Sequence, residues 1–275
     1  MYNANGTNPV FAAVILDNNV GLRSFVQMEN QSGTTAQPFA PFKNVDSVAI
    51  NFVSEMQKGC WDMGYFAHDD ELSLSNLRGS GNPFNNVDIG LLILHGVYGT
   101  SMDSTPGHPV KQMYFPIASG GSAQYLRMSE MTLGGSSPTN GLKWMALLAC
   151  TSLFQQNWSS MQSQNVNPYN SNLHMILGTA TDNAVDPLIG QFWADFMLGD
   201  PNAKPSARPP MKIRDAWYAA GRAAYQVGIA NGAVGYINPT KFAVVADPNC
   251  TEDSLQTNSV PMGGMWHYDI NQVFP

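Results

Sequence analysis

The most regular feature of the chain is a set of unbroken apolar runs, which predict buried β-strands. The runs VDIGLLIL (87–94) and LKWMALLA (142–149) are apolar along most of their length, and NLHMILGTAT (172–181) is a third. A strand without polar alternation is typical of a parallel sheet that is covered on both faces. These three runs therefore predict the centre of a mostly parallel sheet.

Other segments carry the spacing of helices. Residues 45–59 and 211–230 place apolar side chains at helical intervals, and 186–198 does the same with Pro187 in its first turn. A further helix is expected to begin after Cys150. These segments alternate with the apolar runs along the chain, which is typical of an α/β fold.

Shorter patterns complete the predicted order of elements. Strands are expected at 8–18, 60–70 and 241–247, a strand pair or hairpin at 110–117 with 123–131, and loops at 97–109 and 133–141. No internal repeat and no change of composition marks a domain boundary. The chain is therefore interpreted as one α/β domain over 1–275, with a core at about 45–246 and unassigned extensions at both ends.

Composition and charge narrow the classes of partner. Apolar residues make up 44% of the chain, which predicts a packed interior, and the formal net charge is −7. No basic run occurs, which argues against nucleic acid or an anionic membrane surface as a partner. No apolar stretch is long enough to span a bilayer, and the N-terminus lacks the basic start of a secretory signal. Four Asn-X-Ser/Thr sequons would suit export, so an exported and a cytoplasmic location both stay open.

The cysteine count leaves at least one thiol unpaired. The chain has three cysteines, Cys60, Cys150 and Cys250. If Cys60 and Cys250 form a disulfide in an oxidising compartment, Cys150 is the one left over; the alternative is three buried thiols outside any disulfide. No Cys-X-X-Cys motif or Cys/His cluster in the sequence indicates a structural zinc site.

Two of the predicted strands end on residues that can do chemistry. The first runs into His95-Gly96 and the second into Ala149-Cys150. In an open α/β sheet, reactive groups gather at the carboxyl ends of the strands, so neighbouring strands would bring the imidazole and the thiol together. The imidazole could take the thiol proton, and the amides of Gly96 and Cys150 could stabilise an oxyanion. The plainer alternative is a loop-capping histidine and an ordinary buried cysteine.

An apolar strand ending in His-Gly, followed by another ending in Ala-Cys, resembles the caspase-like cysteine peptidases of clan CD. That group includes caspases, gingipains, clostripain, legumain and separase. The resemblance is closest to an uncharacterised bacterial family in the gingipain-like branch. It covers residues from about 45 to 225 and includes GCWDMGYFAHDDELSLSNL, LHMILGTATDN, FWADFML and IRDAWYAAG. The resemblance implies a caspase-like three-layer α/β/α sandwich with a mostly parallel central sheet.

The resemblance also implies roles for individual residues. His95 would be the general base, Cys150 the nucleophile, and the Gly96 and Cys150 N–H groups the oxyanion donors. The substrate would be a protein or peptide. Calcium is used by several relatives, although no calcium loop can be placed in this sequence.

The specificity pocket departs from the family pattern. Leu148 stands two residues before the cysteine, where caspases and metacaspases carry a polar residue that reads the substrate. The candidate pocket residues are Leu148 itself, Asp182 and Asn183 beyond the third apolar strand, and Asp103 in the loop after His95. A basic side chain would be favoured if Asp182 lines the pocket.

Two other interpretations of the dyad stay open. The fold could be a binding or scaffold module whose dyad is idle, or the thiol could serve a different transferase or amidase. Thiol reactivity separates the idle module from the enzymes. His174, inside the third apolar run, is interpreted as a hydrogen-bonded core histidine rather than as a ligand. The sequence does not fix the oligomeric state.

Overall fold

The computed structural model describes most of the predicted elements and their connections. The described residues are 10–15, 45–68, 74–79, 82–94, 96–99, 112–119, 122–134, 141–156, 158, 173–181, 186–202, 206–231, 240–257, 259–262 and 267–272.

The described structure has ten strands, three α-helices with defined ends and several short 3₁₀ turns, and residues 155, 156 and 158 are also helical. The strands are β1 (Val10–Ile15), β2 (Asp62–His68), β3 (Ile89–Ile93), β4 (Val97–Gly99), β5 (Gln112–Ser119), β6 (Ser122–Arg127), β7 (Trp144–Leu148), β8 (Met175–Thr179), β9 (Lys241–Ala246) and β10 (His267–Gln272). The helices are α1 (Val45–Lys58), α2 (Ile189–Leu198) and α3 (Ile213–Ala230).

A seven-stranded sheet organises the fold, with the strand order β10-β9-β8-β7-β3-β1-β2. The five strands from β2 to β8 run parallel to their neighbours, and β9 and β10 are antiparallel to theirs. The predicted α/β class with a mostly parallel sheet is therefore confirmed. A second, three-stranded antiparallel sheet has the order β4-β5-β6.

Helices α1, α2 and α3 lie on one face of the large sheet. Side chains of β3, β7, β8 and β9 alternate between this face and the opposite one; Leu91, for example, packs toward the helices and Leu92 away from them. A chain of aromatic contacts joins the three helices to β9. The ring centroids are 5.3 Å apart for Phe52–Trp193, 5.4 Å for Trp193–Trp217 and 5.3 Å for Trp217–Phe242. Burying each of these rings contributes about 1.5–3 kcal/mol.

The opposite face of the sheet is covered differently. Among the described residues, it packs against the short 3₁₀ turn Pro83–Asn86, the β5–β6 hairpin and the segment that follows the hairpin. Phe84, Phe115 and Leu133 are fully buried there. The sheet is thus buried on both faces, which is why its central strands show no polar alternation in the sequence.

The structure corrects three element predictions. Residues 97–99 of the predicted loop 97–109 form β4, which pairs with β5. The helix predicted from 186 begins at Ile189, after a turn that contains Pro187. The C-terminal extension contributes the unexpected strand β10, and β1 lies between β3 and β2, so both extensions take part in the sheet.

The part of the chain that the structure describes contains no helix long and apolar enough to cross a membrane.

Candidate functional site

The carboxyl ends of β3 and β7 lie side by side, as the predicted pairing of His95 with Cys150 requires. The two strands pair in parallel, with Ile93 opposite Leu148. One residue further along, the Leu94 N–H donates a hydrogen bond to the Leu148 carbonyl at 3.3 Å. The two chain segments that carry His95-Gly96 and Ala149-Cys150 therefore leave the sheet next to each other, at the carboxyl ends of its central strands.

Gly96 meets the backbone of Cys150 at this edge. An ideal Cβ on Gly96 would lie 2.3 Å from the Cys150 carbonyl oxygen, 2.8 Å from the Met113 side chain and 3.2 Å from the Ala149 Cβ. A contact of 2.3 Å with a backbone atom is too short for any side chain, so only glycine fits here. The absence of a Cβ is what lets the two strand ends approach so closely.

Several predicted site residues lie outside the described residues. They are His95, Asp103, Asp182 and Asn183. Their roles as general base and as pocket residues stay predictions, as do the oxyanion roles of the Gly96 and Cys150 N–H groups. The described neighbours of His95 in the chain, Leu94 and Gly96, both contact the end of β7 or the turn after it.

Cys150 is half-buried, lies outside any disulfide and begins a tight turn. The next residue, Thr151, has φ of 53°, a left-handed conformation that is unusual for a β-branched residue. The Thr151 N–H donates to the Thr181 carbonyl at 3.0 Å, and the Leu153 N–H donates to the Thr179 carbonyl at 2.8 Å. The end of β8 thus holds the turn that presents Cys150.

Two buried hydroxyl groups fasten this turn to the sheet. Ser152 Oγ donates to the Leu147 carbonyl at 3.0 Å and accepts from the Thr179 N–H at 3.1 Å. Thr179 Oγ1 donates to the Ala149 carbonyl at 2.7 Å. Sequence reasoning missed both residues, although a threonine inside an apolar strand and a serine two residues after the cysteine were available signals. Because both hydroxyls are buried, their hydrogen bonds hold the backbone around Cys150 in one arrangement.

Leu148 does not present its side chain to a substrate in this structure. It is fully buried among the side chains that pack under the helices. The residue at the position of the polar substrate-reading residue of caspases is thus part of the core here. A specificity pocket would have to be built from other residues.

The other two cysteines, Cys60 and Cys250, differ in exposure and do not form a disulfide with each other. Cys60 is exposed and Cys250 is buried, and neither takes part in a disulfide. The pairing of Cys60 with Cys250 is not formed, and the alternative of three buried thiols holds for Cys250 alone, since Cys60 is exposed and Cys150 is half-buried. Burial, with the negative charges of Asp253 and Asp247, raises the pKa of Cys250 to about 12. Cys250 is therefore a protonated, unreactive thiol when no cation is bound.

His174 is buried, as predicted for a core histidine, and its Nδ1 lies 2.6 Å from Asp253 Oδ2. The same carboxylate oxygen accepts a hydrogen bond from Trp144 Nε1 at 3.1 Å. A ring nitrogen of His174, the Cys250 sulfur and a carboxylate oxygen of Asp253 all lie within 4.8 Å of one another. This group of potential metal ligands lies at the amino ends of β7 and β8, away from Cys150.

Comparison with known protein families identifies the family of this chain. Residues 47–263 match a family model described as Domain of unknown function (DUF6345). No curated protein and no solved structure gives a significant match. The matched region begins in α1, continues past β9 and takes in Gly96, Cys150 and the His174 cluster. Since the match covers more than half of its length, this chain belongs to the DUF6345 family.

Proposed function

We propose that this protein is a cysteine endopeptidase with a caspase-like three-layer α/β/α sandwich, in which His95 and Cys150 form the catalytic dyad. The observation that supports the proposal most is the close approach of Gly96 to Cys150. An ideal Cβ on Gly96 would lie only 2.3 Å from the Cys150 carbonyl oxygen. Two motifs far apart in the sequence meet at one edge of a parallel sheet, where α/β enzymes carry their reactive groups.

The chemistry would proceed through a thioester. His95 takes the proton of the Cys150 thiol, and the sulfur attacks the carbonyl carbon of the scissile peptide bond. The N–H groups of Gly96 and Cys150 stabilise the negative charge on the carbonyl oxygen. His95 then returns the proton to the amine nitrogen, the C–N bond breaks, and the first product leaves. Water, deprotonated by His95, hydrolyses the thioester and restores the thiol.

The turn after Cys150 supports this role. A β-branched residue in the left-handed region costs about 1–3 kcal/mol, and such strain is found mainly at functional sites. Thr151 is held there by its hydrogen bond to the Thr181 carbonyl at 3.0 Å. A strained residue directly after the proposed nucleophile would hold the sulfur in one orientation toward the edge of the sheet.

The same hydrogen bond supports the choice of pocket. Asp182 and Asn183 directly follow Thr181 in the chain, and Thr181 contacts the residue after Cys150. Carboxylate and amide groups at this point would favour a basic side chain on the substrate. We therefore propose cleavage after Lys or Arg, with Asp103 as a second candidate for the pocket.

The proposal is tested by replacing Cys150. A peptide library is incubated with the wild-type chain, with Cys150→Ala and with Cys60→Ala, in the presence and absence of calcium. Hydrolysis should fall by about three orders of magnitude or more in Cys150→Ala, with an unchanged circular dichroism spectrum, and should persist in Cys60→Ala. Full hydrolysis by Cys150→Ala would overturn the proposal.

The alkylation rate of Cys150 separates the peptidase from the alternatives. At neutral pH, an imidazole-paired thiolate should react with iodoacetamide more than about tenfold faster than a model thiol. A rate no faster than the model thiol, together with no hydrolysis, would favour an idle binding module. Fast alkylation without hydrolysis of any library peptide would overturn the endopeptidase and point to a transferase or amidase.

A further inference from the structure

A buried cluster of three side chains lies at the end of the sheet opposite Cys150. His174 immediately precedes β8, and Cys250 ends the 3₁₀ turn Pro248–Cys250 that follows β9. Asp253 comes three residues later and reaches back to His174 and Trp144. Trp144 begins β7, so the length of that strand separates the cluster from Cys150 by about 20 Å. The cluster therefore has no part in the proposed hydrolysis.

All three side chains are removed from water. The relative exposure is 1% for His174, 0% for Cys250 and 1% for Asp253. The Trp144 ring stands edge-on to the imidazole, with the ring centroids 5.9 Å apart. Buried polar groups normally find partners, so unused donor or acceptor capacity at such a place requires an explanation.

The cluster retains unused capacity for a ligand. His174 Nδ1 is paired with Asp253, but the buried Nε2 has no hydrogen-bond partner among the residues that the structure describes. The Cys250 sulfur makes a long contact, 3.9 Å, with the Ser259 carbonyl. Asp253 Oδ1 accepts from the Ser259 N–H at 2.8 Å, and a carboxylate offers about four acceptor positions. One ring nitrogen of His174, the Cys250 sulfur and one Asp253 oxygen thus lie within 4.8 Å of one another in the buried cluster.

The charge of the site favours a cation. The carboxyl side chains of Asp253 and Asp247 are both buried near the end of β9. A bound cation offsets the cost of burying carboxylates. A thiolate, a carboxylate and a neutral imidazole would balance the charge of one divalent cation.

We propose that His174, Cys250 and Asp253 bind one divalent cation of the zinc class. The donor set of nitrogen, sulfur and oxygen fits zinc, whereas calcium and magnesium prefer oxygen ligands alone.

The role of the cation would be structural. The ligands come from two segments that are far apart in the sequence, the start of β8 and the turns after β9. The Asp253 carbonyl accepts from the Ile213 N–H at 2.8 Å, and the Asp247 N–H donates to the His174 carbonyl at 2.9 Å. A cation at this point would tie β8, the start of α3 and the chain after β9 together, and its binding energy would add to the stability of the fold.

The experiment measures metal content and its effect on folding in the full chain, purified without a metal-affinity step. Inductively coupled plasma mass spectrometry should find about one zinc per chain in the wild type and in Cys60→Ser, and a loss in Cys250→Ser. A chelator should lower the Tm of the wild type, and added zinc should restore it. Replacement of zinc by Co²⁺ should produce a thiolate-to-cobalt charge-transfer band, which Cys250→Ser lacks.

The result of the metal-binding experiment does not depend on whether the protein is a peptidase. Cys150→Ala should bind zinc as the wild type does, so loss of hydrolysis and loss of metal are separate results. Because Cys250→Ser could fold poorly, the chelator and Co²⁺ measurements on the wild type stand by themselves. A wild-type chain that takes up no zinc or Co²⁺, with a Tm unchanged by chelator and by added zinc, would overturn the proposal. Undiminished zinc binding by folded Cys250→Ser would do the same.

Discussion

Gly96 and Cys150 approach so closely that a Cβ on the glycine would lie 2.3 Å from the carbonyl oxygen of the cysteine. These residues are far apart in the sequence and meet because β3 and β7 are neighbours in register. This close approach brings the His95-Gly96 and Ala149-Cys150 motifs together, and the proposed dyad requires that they be neighbours.

Gly96→Ala should destabilise the protein, because the added methyl group would collide with the Cys150 carbonyl oxygen, a backbone atom that cannot rotate away. We expect a loss of about 1–3 kcal/mol in the free energy of unfolding, measured by urea denaturation. Alkylation of Cys150 by iodoacetamide should change in the same variant, since the collision displaces the residue that carries the sulfur.

Gly79→Ala is the control for this substitution. Gly79 has a positive φ, 80°, which Gly96 does not have, but nothing lies within 4 Å of an ideal Cβ on Gly79. That variant should lose only the conformational cost, about 1–2 kcal/mol, with no change in the alkylation of Cys150. An unaltered stability of Gly96→Ala would contradict the close approach of the two strand ends.

Thr151→Asn should stabilise the turn after Cys150. Asparagine tolerates the left-handed region better than a β-branched residue does, and Thr151 has φ of 53°. We expect a gain of about 0.5–1 kcal/mol in the free energy of unfolding. Thr151→Val, which keeps the branch and loses the hydroxyl, should give no gain. A lower stability of Thr151→Asn than of Thr151→Val would show that the backbone strain is absent.

Thr179→Val should weaken the connection between β8 and the end of β7. The substitution keeps the volume but removes the hydrogen bond from Thr179 Oγ1 to the buried Ala149 carbonyl, 2.7 Å long. The Ala149 carbonyl would keep its hydrogen bond from the Ser152 N–H at 3.2 Å. Loss of the Thr179 bond should therefore cost about 0.5–1.5 kcal/mol, and the alkylation rate of Cys150 should change with it.

Thr251→Val is the control that tests whether the loss of stability in Thr179→Val depends on burial of the hydrogen bond. The Thr251 hydroxyl donates to the Pro248 carbonyl at 3.3 Å in an exposed position, where water can replace it. That variant should lose less than about 0.5 kcal/mol. Equal losses for the two variants, measured by urea denaturation, would count against a special role for Thr179.

Glu130→Gln should reveal a stability term that depends on pH. Burial alone would raise the pKa of Glu130, but hydrogen bonds from the Arg127 N–H and from Arg78, with the charges of both arginines, outweigh it and lower the pKa below 4.5. A lowered folded-state pKa stabilises the fold above the unfolded value, and this contribution is lost as pH falls through the folded value. The wild type should therefore be more stable than Glu130→Gln by about 1–2 kcal/mol at neutral pH.

The difference between these two proteins should shrink as the pH is lowered from neutral to below about 4. Glu55→Gln is the control, because Glu55 pairs with Lys58, which is well exposed, within one turn of α1. Its effect should stay below about 0.5 kcal/mol at every pH. A constant difference between wild type and Glu130→Gln across this range would exclude the ionised carboxylate as its source.

Local pattern was enough to predict most of the elements. The apolar runs at 87–94 and 142–149 became β3 and β7 because a strand buried on both faces needs apolar side chains at every position. Strand β10 was missed because it lies at the edge of the sheet. It is antiparallel to β9, its Ile270 is exposed, and so it lacks an unbroken apolar run.

Contacts between distant residues could not be predicted in the same way. The hydroxyl of Thr179 and the carboxylate of Asp253 gain their roles from partners 30 and 79 residues away, Ala149 and His174. No local pattern distinguishes these side chains from polar residues at the surface. Strand β4, inside a predicted loop, likewise exists through its pairing with β5.

The sequence by itself determined the class of the fold and the two strand ends that carry His95-Gly96 and Ala149-Cys150, because apolar periodicity and strand termination are local properties of the chain. The tertiary structure decided that β3 and β7 are neighbours, that Leu148 belongs to the core, and that His174, Cys250 and Asp253 share one buried space. These relationships follow from strand order and packing, which depend on the whole chain reaching its lowest free energy together.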